Sequence, residues 1–534
     1  MKRGATSPPP PPAAPDRESW LKARSLSLAL AGIVFAALLL RVVMFDPGSL
    51  WIDEFFTLET TAGRGLAHYA LPHGVILDNV PRLTDIRTAL PAWQIPRGMA
   101  ADVHPPLYFL LLRGWIALFG EGDNLVRSFS IPWSLGIVAL CGVVTWTLNG
   151  PRAGLWAAAL AAAAGAQVAY AQEARPYAMA VCLLLATAAV LVRMERSGVT
   201  RGRLVLLFTL ALATVMTHYL TAPVLLAFGV YAAITFRGRE RWRVLATFAL
   251  AAAVFAACWG PTLLKQRQDP AGTSGWLVER VRGHEWLVLE RLAVAPLRLI
   301  ADAPPNGWPA ATGAALLLLL TPMVVVLLLR RRPDLRLWAL WLAAALLPLA
   351  VADLIGSTKM LFHLRYALFA APAVYALIAA AVPANWSRGW TPHVLPAAAL
   401  VLALATFRPY DTVRAPWPAL GQLVDEEMSP ATPMCFYSNG ADGSGWYAPT
   451  MLLGASHYSK TWPRPAVILT APADDHLLRA LSARAEPAGG DVWLVCLSGE
   501  TDPRTILPGA AIRQDVVIPF VGRAWRMNVR PRSF

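Results

Sequence analysis

Two adjacent carboxylates follow the first long apolar run of the chain. Asp53 and Glu54 occur in the sequence Trp51-Ile52-Asp53-Glu54, directly after an apolar run at 26–45. A carboxylate is costly in hydrocarbon, so it is found where water, a cation or a positively charged ligand meets it. We therefore expect the pair at a membrane face, where it could accept a proton from a substrate held at the interface.

Further polar clusters sit at the ends of other apolar runs. They are Asp102-Val103-His104 before Pro105-Pro106, the segment Tyr170 to Tyr177 with Glu173 and Arg175, His218-Tyr219, and His363-Leu364-Arg365-Tyr366. Carboxylates, imidazoles and guanidinium groups together can transfer protons and bind an anionic group such as phosphate.

Each cluster also has a purely structural interpretation. The acids could be solvated loop charges, and His104 could cap the helix that the two prolines begin. Glu173 and Arg175 could pair with each other. Arg365 could anchor lipid head groups, and His218 could be structural.

The composition is that of an integral membrane protein. Of 534 residues, 56% are hydrophobic and 15% charged, whereas soluble domains are nearer a quarter charged. The net charge of +14 comes from arginines grouped in short loops at 193–203, 237–243 and 330–336. Such loops are cytoplasmic by the positive-inside rule, which puts the polar clusters on the opposite, external side. No basic-aromatic platform indicates a nucleic-acid partner.

The apolar runs predict about eleven crossings, each a helix because lipid leaves no other way to satisfy the backbone. The run at 105–119 contains Arg113 and is short, which indicates a tilted or interfacial helix. The runs are 26–45, 105–119, 128–148, 154–170, 178–192, 204–217, 220–236, 244–264, 310–329, 337–352, 366–382 and 394–407.

Three regions are predicted along the chain. Residues 1–24 form a disordered cytoplasmic tail, 25–407 a membrane domain, and 408–534 a small external α/β domain. External loops are expected at 46–104, which carries the acids, and at 265–309. The second loop predicts an amphipathic helix, either a gate over the site or a passive interfacial helix, through Trp276, Glu279, Arg280, Arg282, His284, Glu285 and Trp286.

Short apolar runs in the last region predict three strands, at Met434 to Tyr437, Ala466 to Leu469 and Val492 to Cys496. Two of its residues, Cys435 and Cys496, could form a disulfide in an oxidising compartment, and this stays open.

These residues resemble the GT-C glycosyltransferases, in particular the bacterial relatives of the protein O-mannosyltransferases and of the lipid A aminoarabinose transferase (families 39 and 83). The resemblance covers residues 25–385. It implies an α-helical polytopic membrane protein with the GT-C fold and about 11–13 transmembrane helices. It is carried by Trp51 to Glu54, His104 to Tyr108, Phe119-Gly120, Leu125 to Arg127, Tyr170 to Tyr177 and Arg365-Tyr366.

The resemblance also implies roles. Asp53 would be the general base of an inverting transfer, with Glu54 orienting the acceptor or holding a cation. Arg365, Arg175 and His104 would bind the donor phosphate. The sugar or acceptor would be bound by Glu173, Tyr177, Trp51, Asp102 and His218.

The expected partners are a polyprenyl-phosphate sugar donor, membrane lipids, and an acceptor that is a lipid, a glycan or a protein. We expect no cofactor. A divalent metal could be held by the acids and His104, but their spacing fixes no geometry, and arginine suffices for a monophosphate leaving group. The predicted location is the plasma (inner) membrane, with the N-terminus cytoplasmic and the C-terminal domain periplasmic.

Two other classes of protein are alternatives for this sequence. A flippase or transporter of a lipid-linked sugar should have paired broken helices in two related halves and ionisable groups near the midplane. A membrane scaffold would not need the acids or arginines. The polar clusters at helix ends favour an enzyme.

Overall fold

A computed structural model describes most of the chain. The described residues are 17–45, 48–268, 285–301, 332–356, 358–381, 389–407, 417–438, 447–496, 502–518 and 522–529.

The described residues up to 407 form mainly helices, as the apolar runs predict. Its helices are α1 (Arg17–Val43), α2 (Ile52–Thr61), α3 (Ile95–Gly98), α4 (Leu107–Phe119), α5 (Asp123–Ser128), α6 (Ser130–Asn149), α7 (Pro151–Ala163), α8 (Gly165–Ala169), α9 (Tyr177–Ser197), α10 (Arg201–Val215), α11 (Ala222–Thr235), α12 (Gly238–Gln268), α13 (Glu285–Arg298), α14 (Arg336–Gly356), α15 (Leu364–Ala367), α16 (Ala371–Ala379) and α17 (Thr391–Ala405).

Five stretches of the described chain are helical, long and apolar enough to cross a membrane, and four shorter apolar helices accompany them. The chain is a multi-pass membrane protein. The predicted span at 310–329 lies outside the described residues, as do Trp276 to His284 of the expected gate. Glu285 and Trp286 begin α13.

Two boundaries differ from the prediction. Helix α1 begins at Arg17, two residues after the last proline of the tail, so residues 17–24 are helical rather than disordered. The run at 154–170 is not one helix, because α7 ends at Ala163 and the extended backbone of Ala164 separates it from α8.

A buried arginine occupies the break between α7 and α8. A helix leaves its last carbonyl groups without partners inside the helix. Arg41 of α1 donates to the carbonyls of Ala161 and Ala162, at 3.4 and 3.2 Å, and to Ser134 Oγ at 2.7 Å. The N–H groups of Arg41 therefore donate to carbonyl groups that the break between α7 and α8 leaves without partners inside the helix.

Helix α4 corresponds to the short apolar run at 105–119. Its 13 residues would be about 20 Å long, whereas the hydrocarbon core is about 30 Å thick. Pro106 precedes it and Gly120, with φ of 105°, ends it. This helix is too short to cross alone.

The C-terminal region forms a five-stranded sheet flanked by helices. The strand order is β2-β1-β3-β5-β4, with β2, β1 and β3 parallel and β5 and β4 antiparallel. The elements are α18 (Trp417–Glu427), β1 (Met434–Tyr437), α19 (Tyr447–Tyr458), β2 (Ala466–Leu469), α20 (Asp475–Ala485), β3 (Asp491–Cys496), α21 (Pro503–Ile506), β4 (Ala511–Ile518) and β5 (Gly522–Asn528).

The three predicted strands are the buried parallel ones, whose residues are apolar on both faces. The sequence did not indicate β4 and β5, because β4 alternates exposed and partly buried residues and β5 carries arginines. Cys435 lies opposite Leu494, two residues away from Cys496, and both cysteines are free thiols.

The sheet packs against the membrane domain through one face. Met434, Ile468 and Trp493 belong to the same buried cluster as Phe55 and Tyr108. The segment between α2 and α3 also extends the sheet, because Leu77 forms an antiparallel bridge to Ala466 of β2, with both N···O distances 2.9 Å. The two regions therefore share one core.

We expect Gly454→Ala to destabilise the C-terminal region. A Cβ at Gly454 would overlap Trp417 at Cε3, and overpacking of a buried site costs about 1–3 kcal/mol. The thermal unfolding midpoint of the purified full-length protein should fall. The control is Gly114→Ala in α4, where a Cβ meets nothing within 4 Å. Equal midpoints for both variants would contradict the packing of α19 on α18.

Candidate active site

Asp53 lies in the first turn of α2. The backbone of Trp51 is extended immediately before the helix, and Asp53 and Glu54 are its first-turn acids. Negative charge is favoured there by the free N–H groups and the dipole of the helix. The Asp53 side chain is 22% exposed, so a substrate can reach it.

Two arginines from distant segments converge on Asp53. Arg365 Nη1 donates to Asp53 Oδ2 at 2.8 Å, and Arg175 Nη2 lies 3.8 Å from the same oxygen. Arg175 Nη1 also donates to the Asp53 carbonyl and to Thr57 Oγ1, both at 3.0 Å. One carboxylate and two guanidinium groups thus form a single site.

Arg175 stays charged despite its burial. Burial by itself lowers the pKa of Arg175, but the neighbouring acidic groups of Asp53, Tyr177 and Asp102 outweigh it and raise that pKa. A fixed cation in a buried place interacts strongly with any anion that arrives there.

Arg365 makes cation–π contacts with two aromatic rings. Its guanidinium carbon lies 5.7 Å from the ring centroid of Trp51 and 5.2 Å from that of Tyr366. Stacking of this kind uses the faces of the guanidinium and leaves the N–H edge for hydrogen bonds. The preceding loop is anchored by buried Asp353, which accepts hydrogen bonds from the backbone of Met360 and Leu361, both at 2.8 Å.

Asp102 and His104 extend the site beyond Arg175. His104 Nδ1 donates to Asp102 Oδ1 at 2.9 Å, because a carboxylate can only accept, and Arg175 Nη2 lies 3.4 Å from His104 Nε2. Burial would raise the pKa of Asp102, but the charge and hydrogen bond of His104, followed by the charge of Arg175, lower it. Thr60 Oγ1 donates to the other Asp102 oxygen at 3.3 Å.

His218 places an uncharged imidazole next to His104 and Tyr177. Its ring centroid lies 5.3 Å from that of His104 and 5.6 Å from that of Tyr177. Burial, with the charges of His104, Arg175 and Arg365, lowers the pKa of His218 well below its usual value. Nδ1 accepts from the Leu220 backbone N–H, so Nε2 carries the proton, and this buried N–H has no acceptor among the described residues.

Glu54 points to a different set of partners. Its carboxylate makes a bidentate ion pair with Arg127, at 2.7 and 2.9 Å, and neither side chain is exposed. The same carboxylate accepts from the backbone N–H groups of Trp51 and Ala174, at 3.1 and 2.9 Å. Glu54 therefore ties three segments of the chain together.

Glu173 is also buried, next to Ser130, whose hydroxyl donates to the Glu173 carbonyl. Tyr177 is buried as well, and its ring centroid lies 6.0 Å from the guanidinium carbon of Arg175. Among the residues that the structure describes, no group of three His, Cys, Asp or Glu side chains converges in a way that could hold a metal.

Sequence reasoning gave no role to Arg127 or Thr57. Thr57 lies four residues after Asp53 and so on the same side of α2, a spacing that could have indicated it. Arg127 belongs to the segment Leu125 to Arg127 that carries the resemblance, but no spacing could indicate its partner Glu54, which is 73 positions away.

Comparison with known proteins identifies similarity only at the level of structure. No family model matches the sequence, and no curated protein matches it.

Among solved structures, ArnT from Cupriavidus metallidurans bound to undecaprenyl phosphate is similar over 96% of this chain and 99% of its own, at 13% identity and a TM-score of 0.53. The oligosaccharyltransferase AglB from Archaeoglobus fulgidus, in complex with an inhibitory peptide and a dolichol-phosphate, aligns over 89% of this chain and 70% of its own, at 12% identity and a TM-score of 0.43.

The likeness to ArnT spans almost the whole of both chains, and at this identity it concerns the fold. It agrees with the bundle of apolar helices followed by a small five-stranded sheet. The predicted fold class is confirmed at the level of fold: this membrane protein shares the fold of ArnT, as the resemblance in the sequence predicted.

Proposed function

We propose that this protein is an inverting glycosyltransferase that moves a sugar from a polyprenyl-phosphate donor to an acceptor hydroxyl on the external face of the membrane. The observation that carries the proposal is the contact of the Asp53 carboxylate with Arg365, with Arg175 beside it. A proton acceptor and two fixed cations in one site are what this transfer requires.

The proposed reaction is a single displacement. The acceptor oxygen attacks the anomeric carbon, Asp53 takes the proton of that oxygen, and the bond to the donor phosphate breaks with its electron pair on the phosphate. Proton removal by a positioned carboxylate is general base catalysis. The configuration at the anomeric carbon inverts because attack and departure occur on opposite sides.

Arg365 and Arg175 would stabilise the charge that develops on the departing phosphate, because guanidinium groups bind phosphate through paired hydrogen bonds. His104, 3.4 Å from Arg175, would add a contact to the phosphate or the sugar. The structurally similar ArnT contains undecaprenyl phosphate, which supports a polyprenyl phosphate as the donor carrier here.

For the sugar or acceptor we propose contacts from His218, Tyr177, Trp51, Asp102 and Glu173. The buried N–H of His218 supports this most directly, since a buried donor without an acceptor is costly and a ligand oxygen would satisfy it. The acceptor class, whether lipid, glycan or protein, stays open.

For Glu54 we propose a role in positioning Asp53, in place of the expected role of orienting the acceptor or holding a cation. Its carboxylate is occupied by Arg127 and two backbone N–H groups. By holding the start of α2, it would fix the neighbouring Asp53.

Asp53→Asn tests the reaction directly. The amide keeps the size of the side chain but cannot take the proton, so transfer should fall by about 10²- to 10⁴-fold. The measurement is transfer of radiolabelled sugar from a polyprenyl-phosphate sugar pool in membranes, normalised to the amount of inserted protein. The matched control is Asp475→Asn, an exposed aspartate of α20, which should transfer as wild type does. Wild-type transfer by Asp53→Asn would refute the proposal and favour a flippase.

Glu54→Gln should lower the stability of the protein, whereas Asp53→Asn should lower transfer without lowering stability. Removing one partner of a buried ion pair costs about 3–5 kcal/mol, because the other charge is left without compensation. We expect a lower yield of folded protein and a lower thermal midpoint, while Asp53→Asn keeps both near wild type. A Glu54→Gln protein that is as stable as wild type but inactive would contradict the positioning role and indicate that Glu54 takes part in the reaction directly.

His218→Phe should weaken transfer while retaining the ring packing. The loss of one hydrogen bond to substrate predicts a fall in kcat/KM of about tenfold. Because the lowered pKa keeps His218 neutral, the pH–rate profile from about pH 6 to about pH 8 should keep its shape. Exposed His476→Phe is the control. Unchanged kcat/KM in His218→Phe would remove His218 from the site.

A further inference from the structure

The C-terminal domain contacts the helix that carries the proposed base. Phe55, which follows Glu54 in α2, is fully buried. Its ring packs edge-on against Trp417 of α18 and against His457 and Tyr458 of α19, at centroid distances of 5.8, 5.5 and 6.2 Å. The external domain therefore forms part of the support of α2.

Helix α19 also makes hydrogen bonds to the segments next to α2. Tyr458 Oη donates to Asp123 Oδ2 at 2.6 Å and accepts from the Leu50 backbone N–H at 2.8 Å. His457 Nε2 lies 3.2 Å from Asp123 Oδ1, and its Nδ1 lies 2.9 Å from Thr84 Oγ1. Two consecutive residues of the C-terminal domain thus hold both oxygens of Asp123.

Asp123 and Arg127 are one turn apart on α5. This helix has six residues, too few to be stable alone, so its position depends on what contacts it. At one end it is held by α19 through Asp123. At the other end Arg127 donates to Glu54 and to the carbonyls of Gly48 and Ser49.

The contacts form a continuous path of hydrogen bonds and ion pairs. It runs from Tyr458 to Asp123, along α5 to Arg127, and then to Glu54, the residue next to Asp53. A second, shorter path leads from Tyr458 to the backbone of Leu50, three residues before Asp53. The first path ends in the first turn of α2, at Glu54, and the second ends two residues before that helix, at Leu50.

We propose that the C-terminal domain positions the catalytic base, and that Tyr458 and His457 are the positioning residues. The proposal rests on the proposed function for its catalytic part. Neither residue touches the reacting atoms. Their effect is to hold α5 and residues 48–54 so that Asp53 faces Arg365.

A positioning role and a role in acceptor selection predict different kinetics. Displacement of the base lowers kcat, because about 1 Å of misplacement is enough to cost up to about a hundredfold in rate. Loss of an acceptor contact raises the acceptor KM with kcat unchanged.

The test is Tyr458→Phe in the full-length protein, which removes the hydroxyl and keeps the ring. We expect kcat to fall about tenfold with KM for donor and acceptor within about twofold. Hydrogen–deuterium exchange of residues 48–60 should be faster than in wild type. Tyr437→Phe is the matched control, because Tyr437 is buried on the opposite face of the sheet, and it should alter neither readout.

A second variant, His457→Gln, tests the proposal if Tyr458→Phe does not fold. His457→Gln keeps one donor and one acceptor at the position and should show a smaller fall in kcat than Tyr458→Phe, with the same direction of exchange. Unchanged exchange and unchanged kcat in Tyr458→Phe would overturn the proposal, as would a rise in acceptor KM alone. The two proposals can fail separately. If the wild type transfers no sugar, the proposed reaction is refuted; if exchange of residues 48–60 is nevertheless faster in Tyr458→Phe, the coupling between the C-terminal domain and α2 is supported.

Discussion

The buried ion pair of Glu54 and Arg127 is the interaction on which the rest of the site depends. Both side chains have no exposed surface, so the cost of removing two charges from water has to be offset by hydrogen bonds. Glu54 accepts from Arg127 and from two backbone N–H groups, and Arg127 also donates to the carbonyls of Gly48 and Ser49. The pair joins the segment after α1, helix α5 and the segment before α9.

Adjacent acids acquire opposite environments because of helix geometry. Successive residues of an α-helix are rotated by about 100°, so Asp53 and Glu54 cannot point the same way. Glu54 is directed inward to Arg127, while Asp53 is directed to Arg365 and Arg175 and keeps part of its surface exposed. One short motif thereby supplies both a rigid anchor and an accessible carboxylate.

The C-terminal region is separate in the sequence but not in the core. One face of its central strands packs with Phe55 and Tyr108, and the other face packs with α20. The bridge between Leu77 and Ala466 covers the edge of the sheet at β2, which would otherwise offer unpaired backbone groups to another chain. A change in this domain can therefore reach the membrane domain through shared packing.

Much of the fold and part of the site could be predicted from the sequence. Hydrophobic run length and charge are local properties with strong energetic consequences in lipid, so the membrane helices and the polar clusters at their ends were evident. The buried strands β1, β2 and β3 were evident because each is a short, continuous apolar run. Strands β4 and β5 were not, since β4 alternates exposed and partly buried residues and β5 contains arginines. Ala164 gave no signal of the break after α7, where Arg41 satisfies the open carbonyls.

The sequence by itself determined that acids and arginines cluster at helix ends of a membrane protein, because a charged side chain without a partner is costly in hydrocarbon. Only the tertiary structure decided which arginine meets which acid. Glu54 and Arg127, Asp53 and Arg365, and Tyr458 and Asp123 are separated by 73, 312 and 335 positions, and no local pattern links them. Their pairing follows from the packing of helices and the sheet, which sets side-chain direction and distance only when the whole core is assembled.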